Sequence, residues 1–181
     1  RREFVVHYQP IFETGSRKLS GAEALLRWHS AELGEGSPEE FIPVAEESGL
    51  IVKIGGIVFR MVCQQIAQWR ERGLDVPRIS VNLSARQLVD LEFQNQITSI
   101  MAATGVTGAD FDFELTEGSM LADNPRAEDT LAWLKDAGAR LSVCTNKPSV
   151  LSDLLIAELG LADYFERIVG PERTSAKKPD A

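Results

Sequence analysis

Apolar residues cluster in short runs at positions 4–8, 21–27, 78–83, 111–116, 140–144 and 167–170, each of strand length and rich in Val, Ile, Phe and Leu. Helical spacing fills the gaps between most of them. After Gly55 and Gly56, the residues Ile57, Met61, Ile66 and Trp69 recur up to Gly73, a glycine suited to a helix C-terminus. A second helix reads through Leu88, Phe93, Ile97, Ile100 and Met101 to Gly105. A third opens with Asn124 as N-cap and Pro125 at the first helical position, and runs through Leu131 and Leu134 to Gly138. The last follows Pro148 through Leu151, Leu155 and Leu159 to Gly160. Residues 29–38, with Gly34, Gly36, Ser37 and Pro38, read as a surface loop. Strand and helix in alternation with short Gly or Pro joints predict an α/β fold with a mostly parallel sheet.

Length sharpens that prediction. The chain has 181 residues, short of the roughly 250 typical of an eight-stranded β/α barrel. The expectation is therefore a partial β/α (TIM-like) barrel or an open, mostly parallel sheet. With 44% apolar and 25% charged residues the composition is that of a soluble globular domain. No uninterrupted apolar run nears the roughly 18 residues of a membrane span, and no apolar segment with a small-residue cleavage site follows Arg1-Arg2-Glu3, so the expectation is an untargeted domain. Nineteen basic against 27 acidic residues, a net charge of −8, argue against a nucleic-acid polymer as partner. Cys63 and Cys144 lie far apart in apolar segments, as free thiols of a reducing, cytoplasmic compartment do.

Three polar residues stand where the strand pattern asks for apolar ones: Glu23 in Gly21-Ala22-Glu23-Ala24-Leu25, Asn82 in Ser80-Val81-Asn82-Leu83-Ser84, and Glu114 in Phe113-Glu114-Leu115-Thr116-Glu117. A polar group on the inner face of such a sheet is costly without a partner. A hard divalent cation is one partner for oxygen ligands, and a hydrogen bond at the sheet's rim is the other.

Five ordered blocks then decide the family resemblance. They are Tyr8-Gln9-Pro10-Ile11, residues 21–28 with Glu23-Ala24-Leu25, residues 41–51, residues 80–88, and Glu114-Leu115-Thr116-Glu117. Together they resemble the EAL-domain family of cyclic dimeric GMP phosphodiesterases. That resemblance implies a modified β/α barrel that hydrolyses one phosphodiester of the cyclic dinucleotide with Mg²⁺ or Mn²⁺. It implies Glu23, Asn82 and Glu114 as metal ligands, Arg27 on a substrate phosphate, Gln9 in the substrate groove and Glu46 beside a guanine.

Beyond Ser142 the family continues into an Asp-Asp-Phe-Gly-Thr-Gly segment with metal-binding aspartates, followed later by a catalytic Lys and a further Glu. This chain reads Val143-Cys144-Thr145-Asn146-Lys147-Pro148 instead. The expectation is little or no hydrolysis, with residual cation or cyclic dinucleotide binding. Residues 141–148 together with Lys177-Lys178-Pro179-Asp180 resemble the haloacid dehalogenase-like phosphatases, in the phosphoglycolate phosphatase branch. That second resemblance implies phosphate-binding roles for Thr145 and Lys178. Asp110 and Asp112 imitate that family's nucleophile pair but alternate with Phe111 and Phe113 as in a half-polar strand. The predicted organisation is a chimera, EAL-like over residues 1–142 and phosphatase-like over residues 143–181. Its alternatives are a fold chimera without activity, and residual phosphoryl hydrolysis with ligands recruited from Glu117 or Asp123. Unpaired sheet edges in such a fold favour homo-oligomers.

Overall fold

The computed structural model describes residues 3–116, 125–145 and 148–170. Its strands are β1 (Phe4–Phe12), β2 (Leu19–Ser30), β3 (Gly34–Gly36), β4 (Arg78–Leu83), β5 (Phe111–Thr116), β6 (Arg140–Cys144) and β7 (Arg167–Val169). Its helices are α1 (Pro38–Glu47), α2 (Leu50–Glu71), α3 (Ala85–Leu88), α4 (Phe93–Thr104), α5 (Pro125–Asp136) and α6 (Ser149–Glu158). One sheet has the order β1-β2-β4-β5-β6-β7, with β3 paired to β2. The pair β1/β2 is an antiparallel hairpin, and every step from β2 through β4, β5 and β6 to β7 is parallel. The expected α/β class with a mostly parallel sheet is what the chain adopts.

Pleating sorts residues of alternate position onto opposite faces. One face carries Ala22, Ala24, Ile79, Val81, Leu83, Phe111, Phe113, Leu115, Leu141 and Val143, all buried. Val62 and Ile66 of α2, Ile97 and Ile100 of α4, and Leu131 and Leu134 of α5 join them in one apolar core. Phe59 of α2 lies with its ring centre 4.8 Å from that of Phe111, which stacks at 5.6 Å on Phe113. Burial of each such ring contributes roughly 1.5–3 kcal/mol. The other face carries Glu23, Arg78, Ser80, Asn82, Asp112, Glu114, Arg140 and Ser142 in aligned registers. There Asp112 is paired with Arg140, and Arg78 donates from Nη1 to the Phe111 carbonyl at 3.0 Å and stands 3.7 Å from Asp112.

Several sequence expectations change. The helix placed after Gly55 and Gly56 begins at Leu50 and runs through both glycines. Any Cβ there would meet the Gln87 and Gln96 side-chain amides at 2.1 and 2.2 Å, so these glycines mark close packing of neighbouring segments and not a helix end. The loop at 29–38 contains β3, whose Gly36 lies on the Trp28 ring. Residues 38–47 form α1, which the apolar pattern did not announce. The single helix read from Leu88 to Gly105 is two, α3 and α4, with Gly105 at φ 68° closing the second. Finally, α2 is long and apolar enough to cross a membrane by length and composition, with mean hydropathy 1.5 over 18 residues. It holds Lys53 and Arg60 within its length, and Val58, Phe59, Val62, Cys63 and Ile66 are buried in the core.

The boundary expected at residues 142/143 falls inside β6, which pairs with β5 on one side and β7 on the other. The Thr145 amide donates to the Val169 carbonyl at 3.0 Å, so the sheet is continuous through this region.

Candidate functional site

In a parallel β/α sheet, ligands bind at the carboxyl ends of the strands, where the loops lead into the helices. Glu23 of β2 is in register with Ser80 of β4; two residues further along, Asn82 is in register with Glu114 of β5. All three project from the polar face. Asn82 donates from Nδ2 to Glu23 Oε1 at 3.1 Å. With its nitrogen so engaged, the Asn82 Oδ1 is directed away from Glu23 and is available as an oxygen ligand.

Among the described residues no group of three or more His, Cys, Asp or Glu side chains forms a cation site. The set present is two carboxylates with an amide between them. Such a set fits one hard cation, since Mg²⁺ is held by one or two carboxylates with waters and phosphate oxygens completing the shell. It does not by itself supply ligands for the two-ion arrangement.

Arg27 follows Glu23 by four residues on the same strand face, with Nη1 donating to the Leu26 carbonyl at 2.8 Å. Glu46 projects, half-buried, from α1. Glu23, Arg27, Glu46 and Asn82 all line one cavity of about 310 Å³ under α1 and α2 at the ends of β2 and β4, close to the lower size limit for small-ligand pockets. Glu114 borders instead a broader concavity of about 740 Å³ on the polar face, with Ser80, Asp112, Arg140 and Ser142. Gln9 is exposed on β1 directly opposite Glu23. Thr145 follows the end of β6, three strands from β2; Lys178, Glu117 and Asp123 lie outside the described residues.

The aspartates that imitate a nucleophile pair have structural partners. Asp112 is paired with Arg140, and Asp110 accepts from the Thr107 amide at 2.8 Å and pairs with Arg70. Burial pushes the Asp110 carboxyl up, but the Arg70 and Thr107 hydrogen bonds outweigh it and hold the group below the usual carboxylate range. Neither Cys63 nor Cys144 forms a disulfide, and Cys63 is fully buried. Burial drives the Cys63 thiol up to about 12.

Sequence reasoning passed over one pair beside the site. Ser84 caps α3 and Gln87 completes a capping box with it. The Ser-x-x-Gln spacing was legible as such.

A family model described as the EAL domain matches residues 1–144. The chain belongs to the EAL-domain family. Oxygen sensor protein DosP of Escherichia coli K12 is 38% identical over 136 residues, which are 75% of this chain and 17% of that protein. Cyclic di-GMP phosphodiesterase PdeR of the same organism is 36% identical over 139 residues, 77% of this chain and 21% of its own. The chain thus spans about a fifth of these EAL relatives. Among solved structures, the PaMucR phosphodiesterase in complex with c-di-GMP superposes with a TM-score of 0.73 at 26% identity, over 93% of this chain and 81% of that one. The EAL enzyme Bd1971 with cAMP and cyclic-di-GMP bound gives 0.72 at 28% identity, over 83% and 43%.

Proposed function

We propose that this EAL chain binds one Mg²⁺ or Mn²⁺ ion through Glu23, Asn82 and Glu114, and cyclic di-GMP beside it, with little or no hydrolysis. The hydrogen bond from Asn82 to Glu23, with Glu114 next in register, carries the reading. A cation held there would polarise a phosphate oxygen of the ligand. Arg27 offers a planar fork of donors to the same phosphate, Gln9 donates and accepts from the opposite strand, and Glu46 accepts from a base N–H at the mouth of the cavity. Hydrolysis needs a base for the attacking water and ligands for a second ion. Where the family resemblance expects an aspartate pair beyond Ser142, this chain reads Val143-Cys144-Thr145-Asn146-Lys147-Pro148. We place the module in the cytoplasm, where both thiols stay reduced, and assign any self-association to exposed sheet edges.

The family match ends at residue 144 while the sheet continues through β7. A second reading for the remainder is that residues 143–181 descend from a phosphatase-like β/α unit in which Thr145 and Lys178 contacted phosphate, and it rests on the sequence resemblance of residues 141–148 and Lys177-Lys178-Pro179-Asp180 alone.

Thermal unfolding with Mn²⁺ and cyclic di-GMP tests the first reading. At a hundredfold excess over Kd the complex gains about 2.7 kcal/mol, or roughly 5–11 °C in a chain of this size. Glu23→Ala should abolish the rise, and an unchanged melting temperature in the wild-type chain refutes the proposal. Release of the linear dinucleotide, or of phosphate from an aryl phosphate, above a Glu23→Ala plus Thr145→Ala control would show hydrolysis in its place.

A further inference from the structure

We infer that Gln87 is a positioning residue for the cation site, holding Asn82 through the turn that follows it and seated against α2 because position 55 is glycine. The inference rests on the cation reading above. Asn82 is the penultimate residue of β4, and Ser84, two residues on, is the N-cap of α3. The Gln87 Oε1 accepts from both the Ser84 amide and the Ser84 hydroxyl, each at 3.0 Å, and the Gln87 amide donates back to the Ser84 hydroxyl at 3.4 Å. Both ends of the box are therefore satisfied within one turn, which fixes the backbone leaving β4.

A cap alone would serve α3, a helix of four residues. What ties it to the site is its other side. The Gln87 side chain is buried, and its Nε2 lies 2.1 Å from where a Cβ on Gly55 would be. No side chain fits between them, so α2 acts as a wall against which the Gln87 amide is pressed. That contact lies on the lining of the cavity shared with Glu23, Arg27, Glu46 and Asn82. The chain of support runs from Gly55 to Gln87, to Ser84, to the end of β4, and so to the amide that bonds Glu23. Groups that orient ligands without touching the ion typically change affinity by about 10–100-fold when removed.

Mn²⁺ titration followed by electron paramagnetic resonance, well below the melting temperature, tests this. Gln87→Ala should weaken Mn²⁺ about 10–100-fold. Gln87→Glu keeps the acceptor for Ser84, the usual partner in such a box, and should stay within about threefold of wild type. Gly55→Ala should weaken binding too, but add nothing in the Gln87→Ala background, because both act through one contact. Wild-type affinity in Gln87→Ala, with binding lost in Glu23→Ala, overturns the inference and leaves the cation reading standing; so do additive losses in the double variant. If Glu23→Ala binds Mn²⁺ as well as wild type, the cation reading fails, and the metal-free NMR resonances of the Asn82 side-chain amide decide. They should move in Gln87→Ala and stay in Gln87→Glu; no movement in Gln87→Ala overturns the positioning role.

Discussion

Gly108→Ala is expected to lower stability while sparing the cation site, because it acts at the opposite end of the sheet. Gly108 is buried in the 3₁₀ turn that leads into β5. A Cβ there would lie 2.3 Å from the Ala137 carbonyl oxygen and 3.0 Å from the Ala137 Cβ. The obstacle is backbone, at the joint where α5 gives way to β6, and no side-chain rotamer can relieve it. Ordinary contact begins near 3.4 Å, so the turn or the joint must retreat by roughly 1 Å, disturbing the start of β5 at the fully buried Phe111. Overpacking of this kind costs about 1–3 kcal/mol. At about 2–4 °C per kcal/mol for a chain of this size, the melting temperature should fall by roughly 2–12 °C. Circular dichroism melts give the first number and Mn²⁺ titration at low temperature the second. A melting temperature within 1 °C of wild type would refute the packing argument. A drop in Mn²⁺ affinity comparable to that of Glu23→Ala would refute the separation of the two ends.

Phe111→Ala removes a ring buried between Phe59 and Phe113 and should cost about 3–5 kcal/mol in urea unfolding; a loss under 1 kcal/mol would mean that the aromatic cluster is not a core. Asp110, whose carboxyl is held below its ordinary value, contributes stability above the unfolded value of about 3.9 and loses it as pH falls through the lower folded value. Asp110→Asn should thus fall short of wild type most at neutral pH, with the gap closing below about pH 4, and a gap that widens in acid would contradict the assignment. Dithionitrobenzoate should modify Cys144 in the native protein and reach Cys63 only on unfolding, since Cys63 is fully buried with its thiol raised to about 12; fast labelling of two thiols in the native wild type, or of the remaining Cys63 in native Cys144→Ser, would contradict this.

Legibility divided along a physical line. Strands β4, β5 and β6 could be read because a strand buried by helices on one face writes its own alternation: Ile79, Val81 and Leu83 inward, Ser80 and Asn82 outward. For the same reason Glu23, Asn82 and Glu114 announced themselves as polar residues in strand positions. Gly55 and Gly56 misled, because what makes them necessary is a pair of amides more than thirty residues away, and local pattern carries no record of such contacts. Helix α1, with Pro43 inside it and only Ala45 fully buried, has too narrow an apolar stripe to show. Three-residue β3 exists through its pairing with Trp28–Ser30, again a partner that periodicity cannot see. Gln87 was the opposite case, since its spacing from Ser84 was visible while its bearing on Asn82 required the fold.

The two glycines of α2 also govern when the structure can close. Each receives an amide from a segment that follows β4, across 32 residues to Gln87 and 40 to Gln96, so neither contact forms until α2 and β4 have met. Closing loops of that length before any contact forms is entropically slow. We expect both seats to fill late in folding, after the transition state. Alanine at Gly56 should leave the refolding rate nearly unchanged and hasten unfolding in stopped-flow experiments, so that these small residues set the lifetime of the folded chain more than the speed at which it is reached.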